Sequence, residues 1–336
     1  MRKQYRAQVS SLEPTPREVF FNRRKFLSTV SMGIAAASSQ FCRASAQLDE
    51  RLKPPIQRPD VFPATRNAGY SLPEGMRTDL TPRVQAAIYN NFYEFLPGGA
   101  GPVWKYAGDF KVDPWKVEFD GLCNNPMTLD LDDIFAFPHE ERVYHFRCVE
   151  RWAMNVPWSG FPLSKLIEMA DPKPSAKFVR FVTARKPSQM PGMRETSYYP
   201  WPYREALRID EAMNELAMAV TGVYGEPLLK QHGAPLRIIV PWKYGYKNPK
   251  SIVRIEFLSK QPKTFWMMQA HEYGFLSNIN PNIPHPRWSQ ARSYWVGTEQ
   301  WFPTPIWNGY EEYVGGLYPD EPRTPQEPLR PGQVAR

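Results

Sequence analysis

Cys148 stands in Tyr144-His145-Phe146-Arg147-Cys148-Val149-Glu150-Arg151-Trp152, at the end of a strand-like run and flanked by the arginines Arg147 and Arg151. Nearby cations lower a thiol pKa, and the thiolate is both a nucleophile and a soft metal ligand. Cys148 is therefore a candidate for nucleophilic or metal chemistry. Taken alone, a cysteine in an apolar strand is more often an inert core residue, and no second cysteine at zinc spacing accompanies it. Cys123, in Gly121-Leu122-Cys123-Asn124-Asn125-Pro126, sits in a turn without neighbouring cations and reads as structural. A disulfide between Cys123 and Cys148 stays open in an oxidising compartment.

The elements that must position Cys148 are short. Residues 47–80 are rich in Pro, Arg and Asp with no apolar period, so an extended surface arm is expected. From Thr81 the pattern predicts a helix. Thr81 can cap it, Pro82 fits its first turn, and Val84, Ala87, Ile88, Phe92 and Phe95 recur at helical spacing before Pro97-Gly98-Gly99 stops it. Runs at 115–119, 142–147, 177–183, 217–223, 236–241 and 251–258, several of them β-branched or aromatic and alternating, predict strands. Short helices are expected at 129–137, 162–170 and 210–216. Beyond Ala270 the chain is rich in Pro, Asn and Trp, and it ends in a polar stretch read as a loosely held tail. The expectation is one mixed α+β domain over 81–318, dominated by strands, with an extended arm at 47–80 and a polar tail at 319–336.

Composition agrees. The chain has 336 residues, 42% apolar and 14% aromatic, which excludes a disordered chain. Its 36 prolines and 20 glycines exclude long helical bundles, and its 3 cysteines exclude a disulfide-rich scaffold. Lys and Arg number 42 against 34 Asp and Glu, a balance of +8. Residues 1–46 hold eight of those basic residues and two of the acids, so 34 against 32 remain, only +2. The folded part thus gives no support for a nucleic-acid partner.

Those first residues read as an address. A basic region ends in Arg23-Arg24-Lys25-Phe26-Leu27, a mildly apolar run reaches about Ser38, and Ala44-Ser45-Ala46 closes the segment, the layout of a secretory signal. The run is too short to span a bilayer, which takes about 20 residues. The paired arginines followed by Phe-Leu resemble the twin-arginine export signal, with Asn22 and Ser28 departing from its usual residues. Export to the periplasm as a folded protein is expected. Cleavage after Ala46 would leave 290 residues starting at Gln47 and lacking Cys42.

Several segments follow one another in a single order: Asn90-Asn91-Phe92-Tyr93-Glu94-Phe95, the stretch around Cys148, Gly225-Glu226-Pro227-Leu228, His232-Gly233-Ala234-Pro235-Leu236-Arg237, Val240-Pro241-Trp242-Lys243-Tyr244-Gly245 and Lys250-Ser251-Ile252. Each is weak alone, but their joint order is specific. In it the chain resembles the periplasmic protein-methionine-sulfoxide reductase catalytic subunits, the MsrP family of the sulfite oxidase fold. The resemblance implies a sulfite oxidase-type molybdopterin-binding fold and one molybdenum-molybdopterin per chain, with the Cys148 sulfur bound to Mo. It also implies a cofactor pocket of Asn90, Tyr93, Glu94, Thr183, His232, Arg237 and the loop Asn248-Pro249-Lys250. The residue chemistry is compatible: Arg237 and Lys250 suit a phosphate, Asn90, Thr183 and His232 suit ring and phosphate edges, and Pro249 has no N–H to offer.

Glu150, Arg147 and Tyr93 are expected to tune the site from beside the ligand. Glu150 is the residue type of the sulfoxide reductases rather than of the sulfite oxidases, and an anionic side chain near the metal would disfavour a sulfite dianion. The implied activity is repair of oxidised periplasmic proteins by oxygen-atom transfer from methionine sulfoxide, the reversible rung of sulfur oxidation. The chain has no Cys-x-x-Cys-His haem-attachment motif, so electrons must come from another protein. The resemblance implies a haem-containing membrane subunit, MsrQ, fed by the quinone pool. Sulfite oxidation on the same fold and a non-enzymatic exported binding protein are the competing readings.

Overall fold

Burial alternates along Phe178–Thr183 (β8), the period-2 pattern of a strand with one face on a core. The computed structural model describes residues 52–270 and 272–327. In it β8 joins Lys116–Gly121 (β4), Met127–Asp130 (β5), Arg204–Arg208 (β9) and Ile252–Leu258 (β13) in a five-stranded sheet ordered β5-β4-β13-β8-β9. The helix expected at 129–137 is shorter, Leu131–Phe135. Leu129 pairs with Val117 in the sheet, and the Asp130 side chain accepts from the N–H groups of Asp132 and Asp133, which fixes where the helix starts.

The second sheet is buried on both faces. Glu140–Arg147 (β6), Trp152–Pro162 (β7) and Met218–Val223 (β10) are buried almost end to end. They continue the order Thr65–Arg66 (β1)-β6-β7-β10-Glu226–Pro227 (β11). Arg237–Ile239 (β12) pairs with β10, Arg292–Trp295 (β14) with the start of β7, and Trp301–Pro303 (β15) with β14. All six expected strand runs hold a strand. The eleven-residue β7 was not among them, because Pro157 and Gly160 interrupt its pattern. Gly160 is there for a reason of space: a Cβ would stand 2.1 Å from the Ala219 carbonyl oxygen of β10.

The helix expected from Thr81 to Phe95 is corrected. It spans only Arg83–Ile88, and Asn90–Phe92 (β2) and Leu96–Gly101 (β3) form a hairpin instead. Asn90 ends it: its side-chain Nδ2 donates to the Ala86 carbonyl at 2.8 Å, the acceptor its own backbone N–H would use in a continuing helix. Thr81 does not cap; its hydroxyl accepts from Asn155 N at 3.1 Å and ties this corner to β7. Of the other expected helices, the one at 162–170 is Leu163–Ala170, and the one at 210–216 is the single turn Ile209–Ala212.

Two buried ammonium groups lock the connection between β12 and β13. Lys243 Nζ donates to Glu211 Oε1 (2.7 Å), Leu276 O (2.8 Å) and Asn278 Oδ1 (2.7 Å). Lys247 Nζ donates to Glu205 Oε1 (2.6 Å), Ala206 O (2.7 Å) and Phe275 O (2.8 Å). Each ammonium has its three donors filled. This binds the connection to β9 on one side and to residues 275–278 on the other. Along the polar stretch from Asp320, Glu321 accepts from Asn278 and from Trp307 Nε1 at 2.7 Å, and Gln326 N donates to Asn282 O at 2.9 Å, so the chain is pinned at least to Gln326.

Candidate functional site

The β6–β7 turn carries Cys148. Cys148 N donates to Trp152 O (3.0 Å), Arg151 N donates back to Cys148 O (2.9 Å), and Arg151 takes the left-handed conformation at φ 77° that closes the turn. Cys148 is 5% exposed and lies at the wall of a cavity of about 280 Å³. Asn91 from β2 reaches the same point: its Nδ2 stands 3.4 Å from Cys148 Sγ and 3.1 Å from Glu150 Oε2. Glu150 Oε2 also accepts from Trp152 Nε1 at 3.0 Å.

The flanking arginines do not make this cysteine a ready thiolate. Burial, followed by the Glu150 carboxylate, pushes the free thiol far up. Arg147 is fully buried among Ser293, Gln290 and the Cys148 carbonyl, and it does not line the cavity. Arg151 lies over the Trp301 ring at 5.1 Å. Arg147 thus supports the turn from behind. Cys123 is free and buried, bridged to Pro172, and so is Cys148, so no disulfide joins them.

The deep end of the cavity is built from β2, the His232–Arg237 turn and the loop before β13. Asn90 keeps Oδ1 buried and without a partner once Nδ2 is spent on Ala86. His232 bonds the same Ala86 carbonyl through Nε2 at 3.1 Å, which assigns the proton to Nε2 and leaves buried Nδ1 open. Burial, first of all, holds its pKa down to about 3, so the ring is neutral. Arg237 spends Nη1 on His232 O at 2.8 Å, while its buried Nε and Nη2 bond nothing. Desolvation pulls that guanidinium down to about 9. Lys250 Nζ donates to the Asn91 carbonyl and sits 4.8 Å from the centre of the Phe92 ring. Glu94 accepts from Thr183 Oγ1 at 3.2 Å; burial raises its pKa and lowers that of Lys250, each charge partly offsetting the other's shift.

The sequence-derived residues fall into two groups. Asn90, Tyr93, Glu94, Cys148, Glu150, His232, Arg237, Asn248, Pro249 and Lys250 all line the cavity; Thr183 and Arg147 stand behind it. Asn248 is a loop-shaping residue, its side chain accepting from Val240 N (2.5 Å) and donating to Tyr244 O (3.1 Å). Pro249 O accepts from Ile238 N at 3.1 Å.

Open buried donors and acceptors are what a phosphate-bearing polar ring system would satisfy. Two free guanidinium nitrogens would match an anion, while the open Asn90 Oδ1 and His232 Nδ1 would accept from ring N–H groups. Among the described residues no three His, Cys, Asp or Glu side chains cluster to hold a metal. Cys148 is the soft donor on the cavity wall. The residues fit a pterin cofactor whose metal takes one sulfur from the protein.

Comparison with known proteins decides the family. The "Oxidoreductase molybdopterin binding domain" family matches residues 104–266. The protein-methionine-sulfoxide reductase catalytic subunit MsrP of Burkholderia mallei is 43% identical over 91% of this chain and 92% of its own length. MsrP of Pseudomonas syringae pv. tomato is 43% identical over 90% and 93%, and that of Ralstonia nicotianae 41% over 92% and 93%. The chain belongs to the MsrP family. Among solved structures, the sulfane dehydrogenase SoxCD from Paracoccus pantotrophus overlaps 62% of this chain and 49% of its own at 18% identity, with a TM-score of 0.45.

In this MsrP-family chain the cavity mouth adds residues that sequence reasoning left out. Tyr93 packs edge-on to Trp266 (4.9 Å between centroids), and Tyr199, Tyr273, Arg287 and Trp288 complete the wall. Trp266 and Trp288 come from the aromatic- and Pro-rich stretch after Phe265. Arg287 is held by Glu272 at the mouth. Asn91 stood inside a quoted motif, but only its closeness to both Cys148 and Glu150 in the fold marks it out.

Proposed function

We propose that this chain is the periplasmic catalytic subunit that reduces methionine sulfoxide residues in oxidised proteins to methionine. Cys148 would ligate a molybdenum-molybdopterin, and the haem-containing membrane subunit MsrQ would deliver electrons from the quinone pool. The observation that carries this is the convergence of Cys148 with the open polar atoms of Asn90, His232 and Arg237 on one cavity. The family supports it, since its catalytic subunits bear the activity in their name. The twin-arginine pattern supports the periplasmic location.

A bound molybdenum-molybdopterin supplies two-electron oxygen-atom transfer. The chain does the rest. Arg237 and Lys250 would hold the phosphate end, Asn90 and neutral His232 would set the orientation of the ring, and Cys148 would offer its sulfur from a turn fixed by two backbone bonds. Asn91 keeps the Glu150 carboxylate beside that sulfur, and both of its bonds to Asn91 and Trp152 use Oε2. A carboxylate in that place repels a sulfite dianion and leaves a neutral sulfoxide unopposed. Tyr93, Trp266, Tyr273 and Trp288 make an apolar mouth for the thioether side of a methionine residue while excluding water.

The test is metal and pterin analysis of protein purified from a host that makes the cofactor, with reduction of a methionine sulfoxide peptide by a reduced dye. Stoichiometric Mo in the wild type, with Mo and activity both lost in Cys148→Ser, is expected. Protein without Mo would sink the reading, and turnover of sulfite rather than the sulfoxide peptide would move it to sulfite oxidation.

A further inference from the structure

A row of aromatic rings runs from the Cys148 turn to the surface. Trp152 in β7 is the register partner of Tyr294 in β14, and Tyr294 is the register partner of Trp301 in β15. Residues paired across neighbouring strands put their side chains on one face. The rings continue that pairing. Tyr294 and Trp301 lie 5.0 Å apart, Tyr89 stands beside Tyr294, and Tyr89 meets Trp152 edge-on at 5.4 Å. The inner end is Trp152 Nε1, bonded to Glu150, which in turn meets Asn91 beside Cys148 Sγ. Neighbouring strands stand about 4.8 Å apart, so the two strand steps from Trp152 to Trp301 cross only about 10 Å.

The outer end does not look like core packing. Trp301 is 44% exposed, on the edge strand β15. Two guanidinium groups cover its ring, Arg151 at 5.1 Å and Arg292 at 6.0 Å, and Arg292 is itself exposed. The β14–β15 turn sets one acid, Glu299, against them. Cross-strand packing alone would favour burying an indole. An exposed Trp under two arginines has instead the composition of a protein interface.

We propose that Trp301, Arg151 and Arg292 form the docking face for an electron-donating haem protein with an acidic surface, and that Trp301, Tyr294, Tyr89 and Trp152 conduct its electrons toward Cys148. This deepens the functional reading above and rests on it. Each sulfoxide reduced, R2SO + 2 e− + 2 H+ → R2S + H2O, takes one electron from each of two ferrous haems, which become ferric. The rings carry the electrons by tunnelling and are neither oxidised nor reduced themselves. The arginines bring the donor to the exposed end of the row.

The experiment mixes cofactor-loaded enzyme and a methionine sulfoxide peptide with reduced MsrQ in detergent micelles and follows haem oxidation by stopped flow. Arg292→Glu should slow it about tenfold at low ionic strength, and the deficit should shrink as salt is added, because the charge acts on association. Trp301→Leu should slow it at all salt concentrations, and Trp301→Phe, which keeps a ring in the row, should recover most of the rate. Dye-driven reduction of the same peptide should stay at the wild-type level in all three, which also shows that they fold and hold cofactor. A wild type that fails with the dye would overturn the functional reading itself. A wild type that works with the dye but takes no electrons from MsrQ would overturn the docking face together with MsrQ as the donor, and variants that take them at the wild-type rate and salt dependence would overturn the docking face alone; sulfoxide reduction at the Cys148 cavity stands in both cases.

Discussion

Arg237 shows what a single residue reveals about an absent ligand. A buried guanidinium with two unbonded donors is costly, and desolvation holds its pKa down to about 9. It is therefore placed for binding rather than for stability. Arg237→Leu should lose most of the pterin and Mo content, yet leave the thermal midpoint of cofactor-free protein unchanged or raised; a fall of several degrees would show that its bond to the His232 carbonyl outweighs the cost of the unbonded donors. His145 makes the opposite case, since no cavity faces it. Its Nδ1 bonds Asn155 Oδ1 at 2.9 Å, its Nε2 lies unpaired near the Trp295 and Phe302 rings, and burial lowers its pKa to about 4. The unfolded chain binds this proton near pH 6.5 and the folded chain only near 4. The neutral ring's contribution is thus present above pH 6.5 and is lost as pH falls through 6.5 toward 4, up to about 3 kcal/mol. His145→Gln keeps a donor for Asn155, and its unfolding free energy between pH 6.5 and 4 should fall less steeply, by about one proton of uptake. Equal slopes would show that the histidine titrates normally. Residue by residue, the positions that line the cavity were legible through the order of the motifs rather than through residue type alone, as at Arg237 and His232. They misled at Cys148, because Arg147 is a neighbour in sequence but points into another bonding network, and the thiol is ruled by burial and Glu150 instead.

At the scale of elements, the site depends on the connection between β12 and β13, which carries Asn248, Pro249 and Lys250 to the cavity. Nothing in its sequence announces why it is rigid. The reason is the pair of fully bonded lysines, and buried lysines are rare enough that a sequence reader assigns them to the surface. Removing one partner of such a pair strands the other charge, whereas replacing both with apolar groups can be neutral. Lys247→Met should therefore cost about 3–5 kcal/mol in urea unfolding by leaving Glu205 buried and alone, and Lys247→Met/Glu205→Leu should recover most of it. If the double variant were as unstable as the single one, the lysine's bonds to Ala206 O and Phe275 O, rather than the ion pair, would be what holds the connection. The strands around this connection were readable from alternation, as in β8, while β7 was hidden by Pro157 and Gly160 and the helix before β2 was over-extended. At β7 a contact distant in sequence decides, the β10 backbone against Gly160, whereas the helix is ended locally, by the Asn90 side chain on the Ala86 carbonyl that His232 also reaches.

At the scale of the whole molecule, the proposed export route and the proposed cofactor bear on one another. The proposed cofactor would sit among side chains from β2, the β6–β7 turn, the His232–Arg237 turn and the loop before β13, segments far apart in sequence that meet only after both sheets have formed. A chain that traversed the membrane unfolded could not carry such a ligand across. The proposed twin-arginine route, which carries folded cargo, would remove that conflict, and it would account for the basic excess of residues 1–46, without whose eight basic and two acidic residues the charge falls from +8 to +2. A ligand that binds only the folded state also stabilises it in proportion to the logarithm of its saturation, about 4 kcal/mol at a thousandfold excess over its Kd. For a domain of this size that corresponds to a shift in thermal midpoint on the order of 10 °C. Cofactor-loaded and cofactor-free protein, prepared from hosts with and without molybdopterin synthesis, should differ by that amount in differential scanning calorimetry. The same difference should vanish in Arg237→Leu, whose open donors are the ones the ligand would fill. Coincident midpoints for loaded and cofactor-free wild type would mean that the folded chain does not bind the ligand in preference to the unfolded one, and would overturn the assignment of this cavity as its site.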